Sequence, residues 1–191
     1  MDTKNIMIVG VGGQGSLLAS KLLGHLLLSA GYDVKVSEVH GMSQRGGSVV
    51  TYVRYGEKVA SPIIDRGEAD FIVSFEPLEA ARWMPWLKKG GRIVTNTRQT
   101  DPMPVITGAA VYPENIIEKI RSKGVEADAM DCLETARKAG SAKAVNLVLL
   151  GRLSHYFDLP REAWMESIKA CVPPKFLELN IKAFEMGAAG D

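Results

Sequence analysis

Only two cysteines occur in the 191 residues, Cys132 and Cys171. They lie far apart, belong to no Cys-x-x-Cys pair and have no histidine at metal-ligand spacing, so a zinc or iron–sulfur site held by this chain alone is not expected. An excess of one charge is missing too. Lysine and arginine total 23 and aspartate and glutamate 22, which leaves no general attraction for nucleic acid or an anionic membrane surface. No apolar run is long enough to span a bilayer: the longest, residues 17–28, is broken by Lys21 and His25. The apolar stretch at 5–9 is too short for a secretory leader and runs straight into glycines. Internal repeats and low-complexity linkers are also absent. A reducing, cytoplasmic setting is the expectation.

What is present is enough for a core, because 46% of the residues are hydrophobic and 191 residues is the size of one domain. The chain opens with a buried-strand run, Ile6-Met7-Ile8-Val9, then glycines, then a leucine-rich helix over 16–29 that Gly31 ends. Leucines cover more than one side of that helix, which predicts burial. Residues 33–39 read as a second strand, parallel to the first in a β-α-β unit. Strands follow at 48–55 and 71–75, the latter after the charged stretch 65–70.

Pro77 opens a helix carrying Leu78, Ala81, Trp83 and Leu87, with Gly90-Gly91 as its stop. Residues 92–96 and 109–112 read as strands around an exposed, proline-containing connection at 97–104. A helix at 114–123 and a strand at 125–130 continue the alternation. Three helices then follow, 141–156, 161–170 and 175–186, before a frayed Gly-Ala-Ala-Gly-Asp tail. Alternation of this kind predicts an α/β, Rossmann-like fold: an open, mostly parallel sheet with helices on both faces and a C-terminal helical cap. It is expected as a single domain over 1–191, with a sheet core over 1–140 and packed helices over 141–186.

Two glycine segments carry the chemistry. Gly10, Gly12, Gly13, Gln14 and Gly15 form a Gly-x-Gly-x-x-Gly pattern between a strand and a helix, where backbone N–H groups and the helix dipole favour an anion. A tight structural turn selects the same glycines, so a bound phosphate and a purely structural loop both remain open. Glu38 stands near the place of a ribose-binding acid. The residues immediately after it fill the space an adenosine would take, and no second catalytic domain is visible, which disfavours a self-contained nicotinamide dehydrogenase.

The second segment is Gly41-Met42-Ser43-Gln44-Arg45-Gly46-Gly47. It places an amide and a guanidinium in a glycine frame at the carboxyl edge of the expected sheet, where open α/β folds bind ligands. Arg45 suits bidentate pairing with a phosphate or carboxylate, with Gln44 and Ser43 adding neutral hydrogen bonds. An internal ion pair for Arg45, or a loop at a subunit contact, explains the same residues.

These two segments, together with Ser61-Pro62, Glu68-Ala69-Asp70, Phe75-Glu76-Pro77-Leu78 and the 146–151 stretch, resemble the gamma-type domain of the 2-oxoacid:ferredoxin oxidoreductases over nearly the whole chain. The three C-terminal helices and the size are most similar to the free-standing small subunits of its indolepyruvate branch. The resemblance implies coenzyme A-dependent oxidative decarboxylation of an aryl 2-oxoacid to the acyl-CoA, with electrons passing to ferredoxin. It implies a large alpha-subunit partner that holds thiamine diphosphate, magnesium and 4Fe-4S clusters. This chain would bind no cofactor tightly, and it lacks a Gly-Asp-Gly thiamine motif. The hard chemistry would belong to the cofactors; residues 41–47 would sit near the cofactor or substrate carboxylate and residues 10–15 near a phosphate-bearing group, with Arg45 the main contributor. A stand-alone nucleotide-binding or regulatory module built on the first loop and Glu38 is the alternative.

Other residues carry plainer readings. His40 adjoins the second loop and has the chemistry of a proton carrier near neutral pH, although a structural role explains a lone histidine as well. His25 and His155 lie on helices without catalytic partners. Asn146 interrupts an apolar helical run, where an unpaired amide is costly, so it is expected to be hydrogen-bonded or to reach the sheet edge. Trp83, Trp86, Trp164, Met42, Met84 and Met165 read mainly as packing residues, with a subunit contact as the other reading.

Overall fold

A computed structural model describes residues 3–40 and 47–190. Six strands form one mixed sheet in the order β2-β3-β1-β4-β5-β6. Strands β1 (Lys4–Val11), β4 (Ala69–Ser74), β5 (Leu87–Asn96) and β6 (Glu126–Met130) run parallel as neighbours, while β3 (Ser48–Gly56) lies antiparallel between β1 and β2 (Asp33–His40). The expected β-α-β unit is therefore split. Strand β2 runs in the direction of β1 but does not touch it, because the chain turns back after β2 and β3 takes the adjacent place.

Period-two alternation divides the core. Ile6 and Ile8 of β1, with Val53, Val73 and Val94, face one side. There they meet α1 (Ser16–Ser29), α5 (Cys132–Ala139), α6 (Val145–Ser154), α7 (Arg161–Cys171) and α8 (Leu177–Ala189). Met7, Val9, Val50, Ile72 and Ile93 face the other side and meet α2 (Pro77–Trp83) and α4 (Ile116–Ser122). Helices thus cover both faces of a largely parallel α/β sheet, as the alternation predicts. Leu22, Leu23, Leu26 and Leu27 of α1 are wholly buried, and Leu17 and Leu28 at its ends are exposed. Gly31, at φ 89°, closes the helix as its N–H donates to Leu28 O.

Several expectations need correction. The helix opened by Pro77 stops at Trp83 rather than at the double glycine, since Pro85 sits in the 3-10 turn Met84–Trp86 and Leu87 is already extended. Gly90-Gly91 instead lies in β5, where the β4–β5 register shifts. A Cβ on Gly91 would come within 2.9 Å of Ala69 O, so these glycines let two strands approach across a bulge. Residues 109–112 form no strand, and the connection before them carries the short α3 (Met103–Ile106). Helix α5, capped by Asp131 accepting from Glu134 N–H at 2.9 Å, is unanticipated in the sequence reading.

The tail is not frayed through its glycine and alanines: α8 continues to Ala189. Gly151 on α6 and Gly187 on α8 each lie against the backbone of the other helix, and an added Cβ would sit 2.1 Å from Phe184 O or Val148 O respectively. Trp164 and Met165 are core residues, whereas Trp83 and Trp86 are half-buried and form an edge-to-face pair at 4.8 Å. Among the described residues no helix is long and apolar enough to cross a membrane.

Candidate functional site

The first glycine loop sits between β1 and α1, as its flanking patterns predict. Gly13 and Gly15 take φ values of 98° and 93°, a region that side-chain-bearing residues avoid. Gly10 answers a different need. The Gln14 side chain folds back over it, with Oε1 accepting from Val11 N–H at 2.7 Å, and a Cβ on Gly10 would meet that oxygen at 2.7 Å and Phe75 Cβ at 3.0 Å. Gly15 begins α1 with no side-chain cap, and the first turn holds no acidic residue. Among the described residues no side chain therefore caps the amide end of α1, and such an end favours an anion.

The two glycine segments meet at this edge. Gly12 N–H donates to Gly47 O at 2.9 Å, and Val11 pairs with Ser48 in register. Gly41, Met42, Ser43, Gln44, Arg45 and Gly46 lie outside the described residues. Gly47 follows them directly, and His40 precedes them as the end of β2, opposite Val49. The antiparallel return of β3 brings both ends of this segment to the carboxyl end of β1.

A cleft of about 430 Å³ opens on each side of the first loop. One is bordered by Gly13, Gly15, Asn96, Arg98 and Lys143. Arg98 and Lys143 are exposed and join no ion pair among the described residues. Two cations beside an uncapped helix start make this side the one that suits an anion. The other cleft is bordered by Gly12, Ser16, Leu17, Val49 and Glu38, whose carboxylate accepts from Thr51 Oγ1 at 3.3 Å. Glu38 thus does reach the loop's surroundings, but with β3 interposed. A larger hollow of about 520 Å³ lies beside residues 111–118; its charged lining groups among the described residues are Glu114 and Glu118, and no described residue of either glycine loop borders it.

Asn146 is buried at 4% exposure. Its Oδ1 accepts from Leu147 N–H at 3.0 Å, and its Nδ2 lies 3.0 Å from where a Gly15 Cβ would be. It reaches the loop at the sheet edge and makes a structural hydrogen bond as well. His25 is a packing residue, with Nδ1 at 3.0 Å from the buried Ser167 hydroxyl. Both cysteines are buried and free, and burial pushes the Cys132 thiol up to about 12, which makes it a poor nucleophile. Among the described residues no three His, Cys, Asp or Glu side chains converge as a metal site would require.

Sequence reasoning does not find Arg98, Lys143, Thr100 or the roles of Glu76 and Glu79. Arg98 and Thr100 lie in the irregular connection after β5 and Lys143 in the 3-10 turn Ala142–Ala144, with no local pattern. The glutamates do leave a trace, as Glu76-Pro77-x-Glu79 is a helix-start signature, and Glu76 accepts from Glu79 N–H at 3.0 Å.

The profile of the pyruvate ferredoxin/flavodoxin oxidoreductase family matches residues 5–190. The chain belongs to this family. Within it, the chain is 47% identical to the indolepyruvate oxidoreductase subunit IorB of Thermococcus kodakarensis, covering 98% of this chain and 95% of that one. The fold of this oxidoreductase subunit is also that of solved relatives. Pyruvate oxidoreductase subunit PORC of Thermotoga maritima superposes with a TM-score of 0.76 at 21% identity, covering 100% and 97% of the two chains. A 2-oxoglutarate:ferredoxin oxidoreductase from Magnetococcus marinus, solved with 2-oxoglutarate, coenzyme A and succinyl-CoA, gives 0.74 at 22% identity. There the match covers 99% of this chain but 31% of that longer one, so the same fold occurs as part of a larger polypeptide. The resemblance read from the glycine segments and their companion motifs is borne out.

Proposed function

We propose that this chain is the small subunit of an aryl 2-oxoacid oxidoreductase of the indolepyruvate type, which converts its substrate to an acyl-CoA with coenzyme A and passes the electrons to ferredoxin. The observation that carries this reading is the full-length similarity to an indolepyruvate oxidoreductase subunit. In this reading thiamine diphosphate, magnesium and 4Fe-4S clusters belong to the large alpha-subunit partner and supply decarboxylation and electron transfer. This chain supplies recognition. The α1 amide end, with Arg98 and Lys143, suits the phosphates of coenzyme A, while Arg45 holds a carboxylate or phosphate of the substrate or cofactor. The site acts in the cytoplasm, and the isolated chain is inactive.

Reconstitution tests it. Adding this chain to the large subunit should restore coenzyme A-dependent viologen reduction from an arylpyruvate, and a complex no more active than the large subunit alone would defeat the reading. In the active complex, Arg45→Ala should raise a substrate KM by roughly tenfold, in line with loss of a charge-assisted hydrogen bond. A stand-alone nucleotide-binding module is the second reading, favoured by Glu38 lining a cleft beside the loop. It predicts micromolar binding of NAD, FAD or ATP by the isolated chain in calorimetry.

A further inference from the structure

Near its start α6 carries a single polar side chain, Asn146, followed by Leu147, Val148, Leu149 and Leu150, all wholly buried. The two ends of the Asn146 amide do different work. Oδ1 accepts from Leu147 N–H at 3.0 Å and so satisfies a donor in the first turn of α6. That bond fixes which way the amide faces. Nδ2 is left toward the first glycine loop, 3.0 Å from where a Cβ on Gly15 would stand, and it has no acceptor among the described residues.

Holding the start of α6 does not by itself call for an asparagine. Aspartate supplies the same acceptor, adds a negative charge where a helix start favours one, and brings no donor to bury. A donor that is 96% out of water, as Asn146 is at 4% exposure, is destabilising until it finds a partner. The place it faces suits negative charge. Gly15, whose missing side chain leaves room for Nδ2, is the uncapped start of α1 and borders the cleft that Arg98 and Lys143 flank. Val145, the residue before Asn146, borders the same cleft. First-turn N–H groups of α1 have no intrahelical partner. Main-chain donors, one fixed amide and two exposed cations together exceed what the two oxygens of a carboxylate engage, and they match the additional oxygens of a phosphate group.

We propose that Asn146 is a ligand-binding residue whose Nδ2 donates to a phosphate oxygen held at the start of α1. This rests on the reading that the α1 amide end takes the phosphates of coenzyme A. Arg98 and Lys143 supply charge from long exposed side chains, whereas Asn146 supplies direction, because the core and the bond from Leu147 hold its amide in one orientation. The bare Cα at 15 belongs to the same device, since a side chain there would displace the amide.

Asn146→Asp is the decisive variant: it keeps an acceptor for Leu147 N–H and replaces the donor by a carboxylate oxygen. Pyrophosphate and coenzyme A are titrated into the isotope-labelled full-length chain, and amide NMR signals are followed. Either anion should shift the Asn146 side-chain amide together with the backbone amides of Gly13 and Gly15, and Asn146→Asp should weaken both anions roughly tenfold or more. In the reconstituted complex the variant should raise KM for coenzyme A by a similar factor and leave KM for pantetheine, which carries no phosphate, unchanged. A purely structural role would move both KM values or neither. If the loop amides shift while the Asn146 amide stays, and Asn146→Asp binds as wild type does, the role of Asn146 is wrong and the phosphate reading stands. If neither anion moves a loop amide and Arg98→Ala and Asn146→Asp both leave KM for coenzyme A unchanged, the phosphate reading falls and takes this proposal with it. Should Asn146→Asp not fold, the wild-type titration decides alone.

Discussion

Replacing Gly187 by alanine should destabilise the protein even though alanine is the better helix former. A Cβ at 187 would lie 2.1 Å from Val148 O, and ordinary contact begins near 3.4 Å, so α6 and α8 must part by roughly 1.3 Å. The obstacle is backbone, which no rotamer change relieves. Overpacking of a tight core costs about 3 kcal/mol at the upper end of its usual range, and exchanging glycine for alanine in a helix returns about 1 kcal/mol. A net loss of about 2 kcal/mol corresponds to about 4–8 °C in Tm for a chain of this size. The control is Gly24→Ala in α1, where the new Cβ would meet only Val36 Cγ2 at 3.7 Å. There the helix-propensity gain is unopposed, and a stabilisation of about 0.5–1 kcal/mol is expected. Urea midpoints of both variants decide the matter. If Gly187→Ala were as stable as Gly24→Ala, the close helix crossing would not be a feature of the protein in solution.

Alkaline pH should weaken the fold. Burial first, and Asp131 and Asp128 next, push the Cys132 thiol from 9.0 up to about 12, and burial pushes the Tyr55 hydroxyl from 10.0 to about 12. The folded state keeps these protons where the unfolded chain has released them, so stability is full below pH 9 and declines between pH 9 and 12. Urea midpoints across that range should fall, and fall less in Cys132→Ala; a flat profile contradicts the burial. Gly10→Ala should displace Gln14 from Val11 N–H and cost about 1–3 kcal/mol, seen as loss of amide protection at Val11. Unchanged protection would mean that Gln14 does not depend on the bare Cα beneath it.

Local patterns carry much of this architecture. The four-residue apolar run at β1, the leucines of α1 and Gly31 at its end place the first unit correctly, since propensity, capping and burial agree there. The insertion of β3 is invisible for a physical reason: β2 and β3 have the composition of strands, but nothing in either sequence says which partner each takes. Gly90-Gly91 misleads because glycine serves a helix stop and a strand bulge alike. Helix α5 is short and weakly apolar, with three of its eight residues charged, and is held by Cys132, Thr135, Ala136 and Ala139 against the core. The Gly-Ala-Ala end of α8 looks weak locally and is held by packing on α6. At the site, the first glycine loop is legible from its flanks. Arg98 and Lys143 are not, as the fold alone brings residues 13, 98 and 143 around one cleft.

The hairpin made by β2 and β3 gives the family room to vary. His40 and Val49 face each other as the last pair of the ladder, so the connection between them can grow or shrink without shifting the register of any strand. Doubling the length of such a connection costs only about 0.6 kcal/mol in closure entropy. The length of this connection can therefore differ between relatives while the sheet is inherited unchanged.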